Sequence, residues 1–129
     1  MKEKKIKEMQ SLLEHLRSKG FAAASSHERE NWGETRYSPE KCTPLDLEEI
    51  KKSDILLAIP GNPPSGGVHI ELGWASALGK KIIVLLEEGH TYSNLVHGLP
   101  MLTNTVFIRY KMIDKTFKDL DRVLDSLLR

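Results

Sequence analysis

Ile55-Leu56-Leu57-Ala58-Ile59 and Ile82-Ile83-Val84-Leu85-Leu86 are two unbroken apolar runs, and what lies between them decides the fold. An apolar run without polar alternation reads as a strand buried on both faces, the pattern of a parallel sheet. Residues 60–67 form a loop with three glycines and three prolines. In 68–78, Val68, Ile70 and Leu72 alternate as in a strand, but Leu72, Ala75 and Leu78 continue at helical spacing and Gly79 closes the segment. The helix is the better reading, apolar on most faces and therefore buried. Strand, helix and strand in that order make a parallel crossover unit.

Working outward, Thr43 reads as an N-cap with Pro44 at the first helical position, so a helix runs from there to about Lys52 with Asp46 in its first turn. On the other side, a loop with His90, Tyr92, Ser93, Asn94 and His97 leads to a last strand over 106–109. Phe117, Leu120, Leu124 and Leu127 then space out a closing amphipathic helix. At the start, Ile6, Met9, Leu13 and Leu16 predict a helix over about 4–19, stopped at Gly20, with a short strand over 21–24. Residues 25–42 show no period and read as a long polar loop, of the kind that is often functional. The expected fold is α/β: a flavodoxin-like or Rossmann-like doubly wound parallel sheet with helices on both faces. Such folds open on a strand and this chain opens on a helix, so either a first strand lies outside the chain or the sheet is one strand short.

The chain has 129 residues, 40% hydrophobic and 29% charged, with a net charge of +1. That is one domain spanning 1–129. No global field favours a nucleic-acid polymer or a membrane surface. Lys2, Lys4, Lys5 and Lys7 alternate with Glu3 and Glu8, which reads as a solvated helix face. Cys42 is the single cysteine, which suits a reducing compartment. The start is charged rather than apolar, and no apolar run reaches the ~18 residues of a membrane span. A cytoplasmic location is expected.

The chemistry concentrates in Ser65-Gly66-Gly67-Val68-His69-Ile70-Glu71-Leu72-Gly73. Glycines at a helix start let backbone N–H groups approach an anion, and Ser65 adds a hydroxyl donor. Two glycines after a proline-rich loop are also simply a tight turn. Glu71 weighs on the functional side: a carboxylate in the first turn of an apolar helix must be paired, hydrogen-bonded or facing a cleft. The plainer reading is a capping carboxylate. Asp46, also near a helix start, is expected at the same strand-end crevice. Two carboxylates facing one pocket suit glycosyl chemistry.

The stretch from Leu45 to Leu86 resembles the nucleoside 2-deoxyribosyltransferase superfamily, and within it the 2′-deoxynucleoside 5′-monophosphate N-glycosidases. Asp46-Leu47-Glu48-Glu49-Ile50-Lys51-Lys52-Ser53-Asp54 is similar to the segment in which an aspartate begins a helix, and Asp46 falls on the catalytic or base-contacting aspartate. The 65–73 segment resembles the nucleophile segment, with Glu71 on the glutamate that attacks the anomeric carbon. Six residues earlier, the transferases that act on free nucleosides carry aspartate and the monophosphate hydrolases carry serine. Ser65 therefore implies the phosphate branch, and the physics agrees, since a hydroxyl donates to a phosphate that a carboxylate repels. Ser93-Asn94-Leu95-Val96-His97-Gly98 resembles the loop that reaches a neighbouring subunit's site, with Ser93 at a phosphate contact and His97 where an arginine is expected. The resemblance implies a small-molecule nucleoside or nucleotide substrate, a homodimer and no cofactor. Its first strand and the glycine-containing loop after it have no counterpart here.

Trp32 and Tyr37, with His27 and Arg36, read either as a lid that stacks on a base or as a packed surface loop. His69 beside Glu71 reads as a proton shuttle or as a histidine facing sheet or solvent. The five histidines show no metal-ligand spacing, so no metal is expected. The alternative to an enzyme is a nucleotide-binding or sensor module that keeps the pocket without turnover.

Overall fold

The structure, a computed structural model, describes residues 3–61 and 63–129. It divides into two compact units, Met1–Asp46 and Leu47–Arg129.

In the second unit, β1 (Ile55–Ala58), β2 (Lys81–Glu87) and β3 (Thr105–Tyr110) form one parallel sheet in the order β1-β2-β3. Ala58 registers with Val84 and Glu87 with Tyr110. The unbroken apolar run 82–86 becomes the central strand, and each of its five side chains is at most 1% exposed. Burying a side chain of this size stabilises by about 1.5–3 kcal/mol. Because side chains alternate along a strand, Ile82, Val84 and Leu86 share one face. They pack with Leu72 and Ala75 of α4 (Gly66–Ala77), with Ile50 near the end of α3 (Pro39–Lys52), and with Val96 of α5 (Asn94–His97). Ile83 and Leu85 point to the other face. There α6 (Phe117–Leu127) lies against β3 and buries Leu120, Leu124 and Leu127, none of which belongs to the first cluster. The expected doubly wound α/β sheet is thus found, with three strands among the described residues.

Two lysines at the start of β2 bind the ends of helices. Lys80 Nζ donates to the Lys51 carbonyl in the last turn of α3 (2.9 Å), and Lys81 Nζ donates to the Leu127 carbonyl at the end of α6. Cations at helix C-termini satisfy orphan carbonyls and oppose the macrodipole.

The first unit holds α1 (Glu3–Ser18), α2 (Ser26–Arg29) and the start of α3. Arg17 straps it: Nη1 and Nη2 donate to Glu28 Oε2 (2.9 Å) and Oε1 (2.7 Å), and Nη2 also donates to the Ala23 carbonyl (2.8 Å).

Several local expectations are corrected. Residues 21–24 are irregular rather than a strand. The segment 25–42 is not one long loop: Ser25 caps α2, a 3-10 turn spans Asn31–Gly33, and α3 has begun by Pro39. Pro39 takes the N1 position, with the Ser38 carbonyl accepting the amides of Lys41 and Cys42, so Pro44 falls inside the helix. Cys42 accordingly lies within α3 and not ahead of a helix. Among the described residues, no helix is long and apolar enough to cross a membrane.

Candidate functional site

In parallel α/β sheets, the loops leaving the C-terminal ends of the strands are where ligands bind. Two such loops leave the same edge here, one from β1 to Ser65 and one from β2 to Ser93, because β1 and β2 are parallel neighbours.

Ser65 is the N-cap residue of α4, with extended backbone (φ −79°, ψ 130°) and no side-chain capping bond. Its backbone is held from both sides. Ser65 N–H donates to the Pro60 carbonyl (2.9 Å), and His69 Nδ1 lies 2.7 Å from the Ser65 carbonyl. A carbonyl only accepts, so Nδ1 carries the proton and donates. His69 is therefore an anchor of the cap, a role beyond the two expected of it. Gly66 and Gly67 open the helix. Among the described residues, a Cβ on Gly66 would meet nothing within 4 Å, and one on Gly67 only the Ser65 Oγ at 3.7 Å. Among the described residues, packing requires neither glycine, and both are exposed at the first amides of α4. The first N–H groups of a helix have no intrahelical acceptor, which suits an anion.

Because α4 starts at Gly66, Glu71 lies in its second turn, not its first, and it is partly buried. The same helix carries Ser65 at its cap, Gly66 and Gly67 in its first turn and Glu71 in the next. The helix is also less buried than its composition implies: Leu72 and Ala75 are in the core and Trp74 packs on it, but Ile70 is 56% exposed and Leu78 is 44% exposed. Only one face meets the sheet.

Ser93 caps α5, with its Oγ accepting the Leu95 amide (3.1 Å), and Asn94 is the first residue of that short helix. The loop before it is folded back on β2. Tyr92 Oη accepts the Glu87 amide (2.9 Å) while its ring packs on the core, and His90 Nε2 lies 3.8 Å from Glu87 Oε2. Val96 and Leu99 anchor the segment, whereas Leu95, Met101 and Leu102 stand out at 85%, 87% and 70% exposure. His97 lies with its ring 5.8 Å from that of Phe107.

Asp46 belongs to the first unit. It is the eighth residue of α3 rather than a first-turn residue, so the helix dipole does not act on it as expected. Arg29 Nη1 donates to its Oδ1 at 3.2 Å, each side chain being 22% exposed. Trp32 (φ 57°) and Asn31 (φ 50°) both adopt left-handed backbone. For a bulky residue this costs roughly 1–2 kcal/mol. Glu30 holds the turn: its carbonyl accepts the amides of Gly33 and Thr35, and its Oε1 accepts the Tyr37 amide (2.8 Å). Lys41 Nζ sits 3.9 Å above the Tyr37 ring. His27, although its side chain is exposed, is held below its ordinary value of 6.5, chiefly by partial desolvation, with Glu30 and Asp46 pulling it upward. Among the described residues, no three His, Cys, Asp or Glu side chains are grouped to hold a metal.

The model for the family described as nucleoside 2-deoxyribosyltransferase matches residues 1–121. The chain belongs to that family. Two solved structures are similar to this nucleoside 2-deoxyribosyltransferase relative. One is the CMP N-glycosidase BcmB of Clostridium botulinum, 38% identical with a TM-score of 0.81, covering 94% of this chain and 92% of that one. The other is the solution structure of BlsM, 41% identical with a TM-score of 0.89, covering 99% of this chain and 80% of that one. No curated protein matches the chain. The family is the one that segment 45–86 resembles, and the N-glycosidase neighbour accords with the branch read from Ser65.

Three functional roles carry no signal in the sequence pattern alone: Arg29, His69 as an anchor, and Tyr92 as the clasp of the Ser93 loop. The spacing of His69 four residues after Ser65 was a signal for the second, but only once the helix start was known.

Proposed function

We propose that the chain cleaves or exchanges the N-glycosidic bond of a nucleoside or nucleoside 5′-monophosphate through a glycosyl-enzyme on Glu71. The observation that carries this reading is the partly buried Glu71 on the same helix as the uncovered Gly66-Gly67 amides and the uncapping hydroxyl of Ser65. A phosphate at those donors would be held by the start of α4, with Ser93 and Asn94 of a second subunit donating to the same anion. A Glu71 oxygen bonds to the anomeric carbon as the C–N bond breaks, and the base leaves with the bonding pair and takes up a proton. Asp46 orients or protonates that base, and Trp32 and Tyr37 stack on it. Water then displaces Glu71 from the sugar, or a second base does, which gives hydrolysis or transfer. This chemistry calls for no cofactor.

The homodimer is part of the proposal. Exposed Leu95, Met101 and Leu102 beside Ser93, with Ile70 and Leu78 on α4, offer apolar surface of the kind that subunit contacts cover.

Incubation with CMP, the compound named for the clostridial neighbour, and with other ribo- and deoxynucleoside monophosphates should release free base measurable by chromatography. Glu71→Ala should lower the rate by at least about a thousandfold with the fold intact by circular dichroism. Neither release nor exchange from any of these substrates would sink the catalytic reading. The alternative, a nucleotide-binding or sensor module, draws on the three-stranded sheet and the irregular 21–24 segment. Calorimetric binding without product would select it.

A further inference from the structure

Asp46 and Arg29 lie on different helices, α3 and α2, and the contact between them is half shielded. Their side chains are 22% exposed, against 42% for both partners of the Arg17–Glu28 pair in the same unit. The contact is also one-sided. Arg29 donates to Oδ1, and among the described residues Oδ2 takes no hydrogen bond. A carboxylate on a helix has rotamers to choose from, and one oxygen tied to a guanidinium fixes the choice while leaving the second oxygen as an acceptor. Arg29 is followed directly by Glu30, which organises the left-handed turn at Asn31 and Trp32 and accepts the Tyr37 amide. The arginine therefore joins Asp46 to the loop that carries the two candidate stacking rings.

We infer that Arg29 is a positioning residue, which ties the Asp46 carboxylate through Oδ1 so that Oδ2 is presented to an N–H donor on the base, and which registers the Trp32–Tyr37 loop against α3. The inference rests on the proposed role of Asp46. It sharpens that role to an acceptor that orients the base, because a carboxylate engaged by a guanidinium accepts hydrogen bonds and does not donate one. The base it fits is one with an exocyclic amine or a ring N–H.

The test is a set of four full-length variants assayed for base release from CMP. Arg29→Met should lower kcat/KM by about ten- to a hundredfold, the scale of a misplaced orienting group. Arg29→Lys, which keeps the charge and loses the planar fork, should recover part of that loss. The double variant Arg29→Met/Asp46→Asn should be no slower than Asp46→Asn alone, since the inferred effect on base release runs through the Asp46 carboxylate. A general structural role would instead add its loss to that of Asp46→Asn and would not distinguish lysine from methionine. Wild-type kcat/KM in Arg29→Met, or additive losses in the double variant, overturns the inference while Asp46→Asn alone still reports on the reading beneath it. Asp46→Asn with wild-type activity overturns both. If Arg29→Met does not fold, Arg29→Lys at wild-type rate with unchanged KM has the same force against it.

Discussion

Ser65 caps α4 with its backbone and leaves its hydroxyl out of the cap, an unusual economy for a serine at that position. Its orientation is fixed instead by the Pro60 carbonyl and by the His69 ring. This bears on substrate choice. Ser65→Asp keeps a residue fit for an N-cap and places a negative charge beside the Gly66 and Gly67 amides. It should lower kcat/KM for a nucleoside monophosphate by about a hundredfold while leaving the free nucleoside within a few-fold, because like charges brought together cost several kcal/mol. Equal losses on both substrates, in parallel assays, would remove Ser65 from the phosphate site. At this scale the sequence was informative where one helix fixes the spacing, as with Ser65, the glycines and Glu71. It was silent on Arg29, whose partner is seventeen residues away and depends on how a loop folds.

Among the elements, α3 shows how a correct local rule can select the wrong residue. Ser38-Pro39 and Thr43-Pro44 carry the same start signal, and only a helix that starts at the second would have Asp46 in its first turn. The Ser38 carbonyl, already bonded to the Lys41 and Cys42 amides, decides for the first. Helix α4, by contrast, starts earlier than its apolar pattern does, since Gly66 and Gly67 carry no pattern at all. The link between α1 and α2 yields a pH prediction. Glu28 is held below its ordinary value of 4.5, first by the hydrogen bonds from Arg17 and then by its charge. A carboxylate depressed in the folded state stabilises above its unfolded value and loses that contribution as pH falls through the folded one. Amide exchange over residues 23–30 should therefore stay slow above about pH 4.5 and quicken, relative to the intrinsic rate, on further acidification. Arg17→Met should abolish that pH dependence. Both side chains are 42% exposed, so the effect belongs to this local segment and leaves the global melting point nearly unmoved.

For the whole molecule, parallel order, central strand and covered faces followed from two apolar runs and the helix between them. The exposed apolar side chains did not, because composition gives how apolar a helix is and not how much of it meets the sheet. The same surface makes the proposed assembly testable. Glu71→Gln and Ser93→Asp should each be inactive, the latter keeping the α5 cap while repelling phosphate. If each site takes Glu71 from one subunit and Ser93 from its partner, an equal mixture after subunit exchange regains about a quarter of wild-type activity, half of the dimers being mixed with one intact site each. A mixture no more active than its components, or a monomer by light scattering, would end the shared-site proposal.

The open space over Gly66 has an implication for engineering. Its φ is not left-handed and a Cβ there meets nothing within 4 Å among the described residues, so Gly66→Ala is a substitution to which the fold is indifferent or better suited, by up to ~1 kcal/mol. A ligand resting on the amide beneath would collide with the added methyl. Gly66→Ala should therefore raise the melting temperature slightly and weaken nucleotide binding in the same protein. A position that a stability screen would improve first is thus one where improvement would be read out as lost recognition.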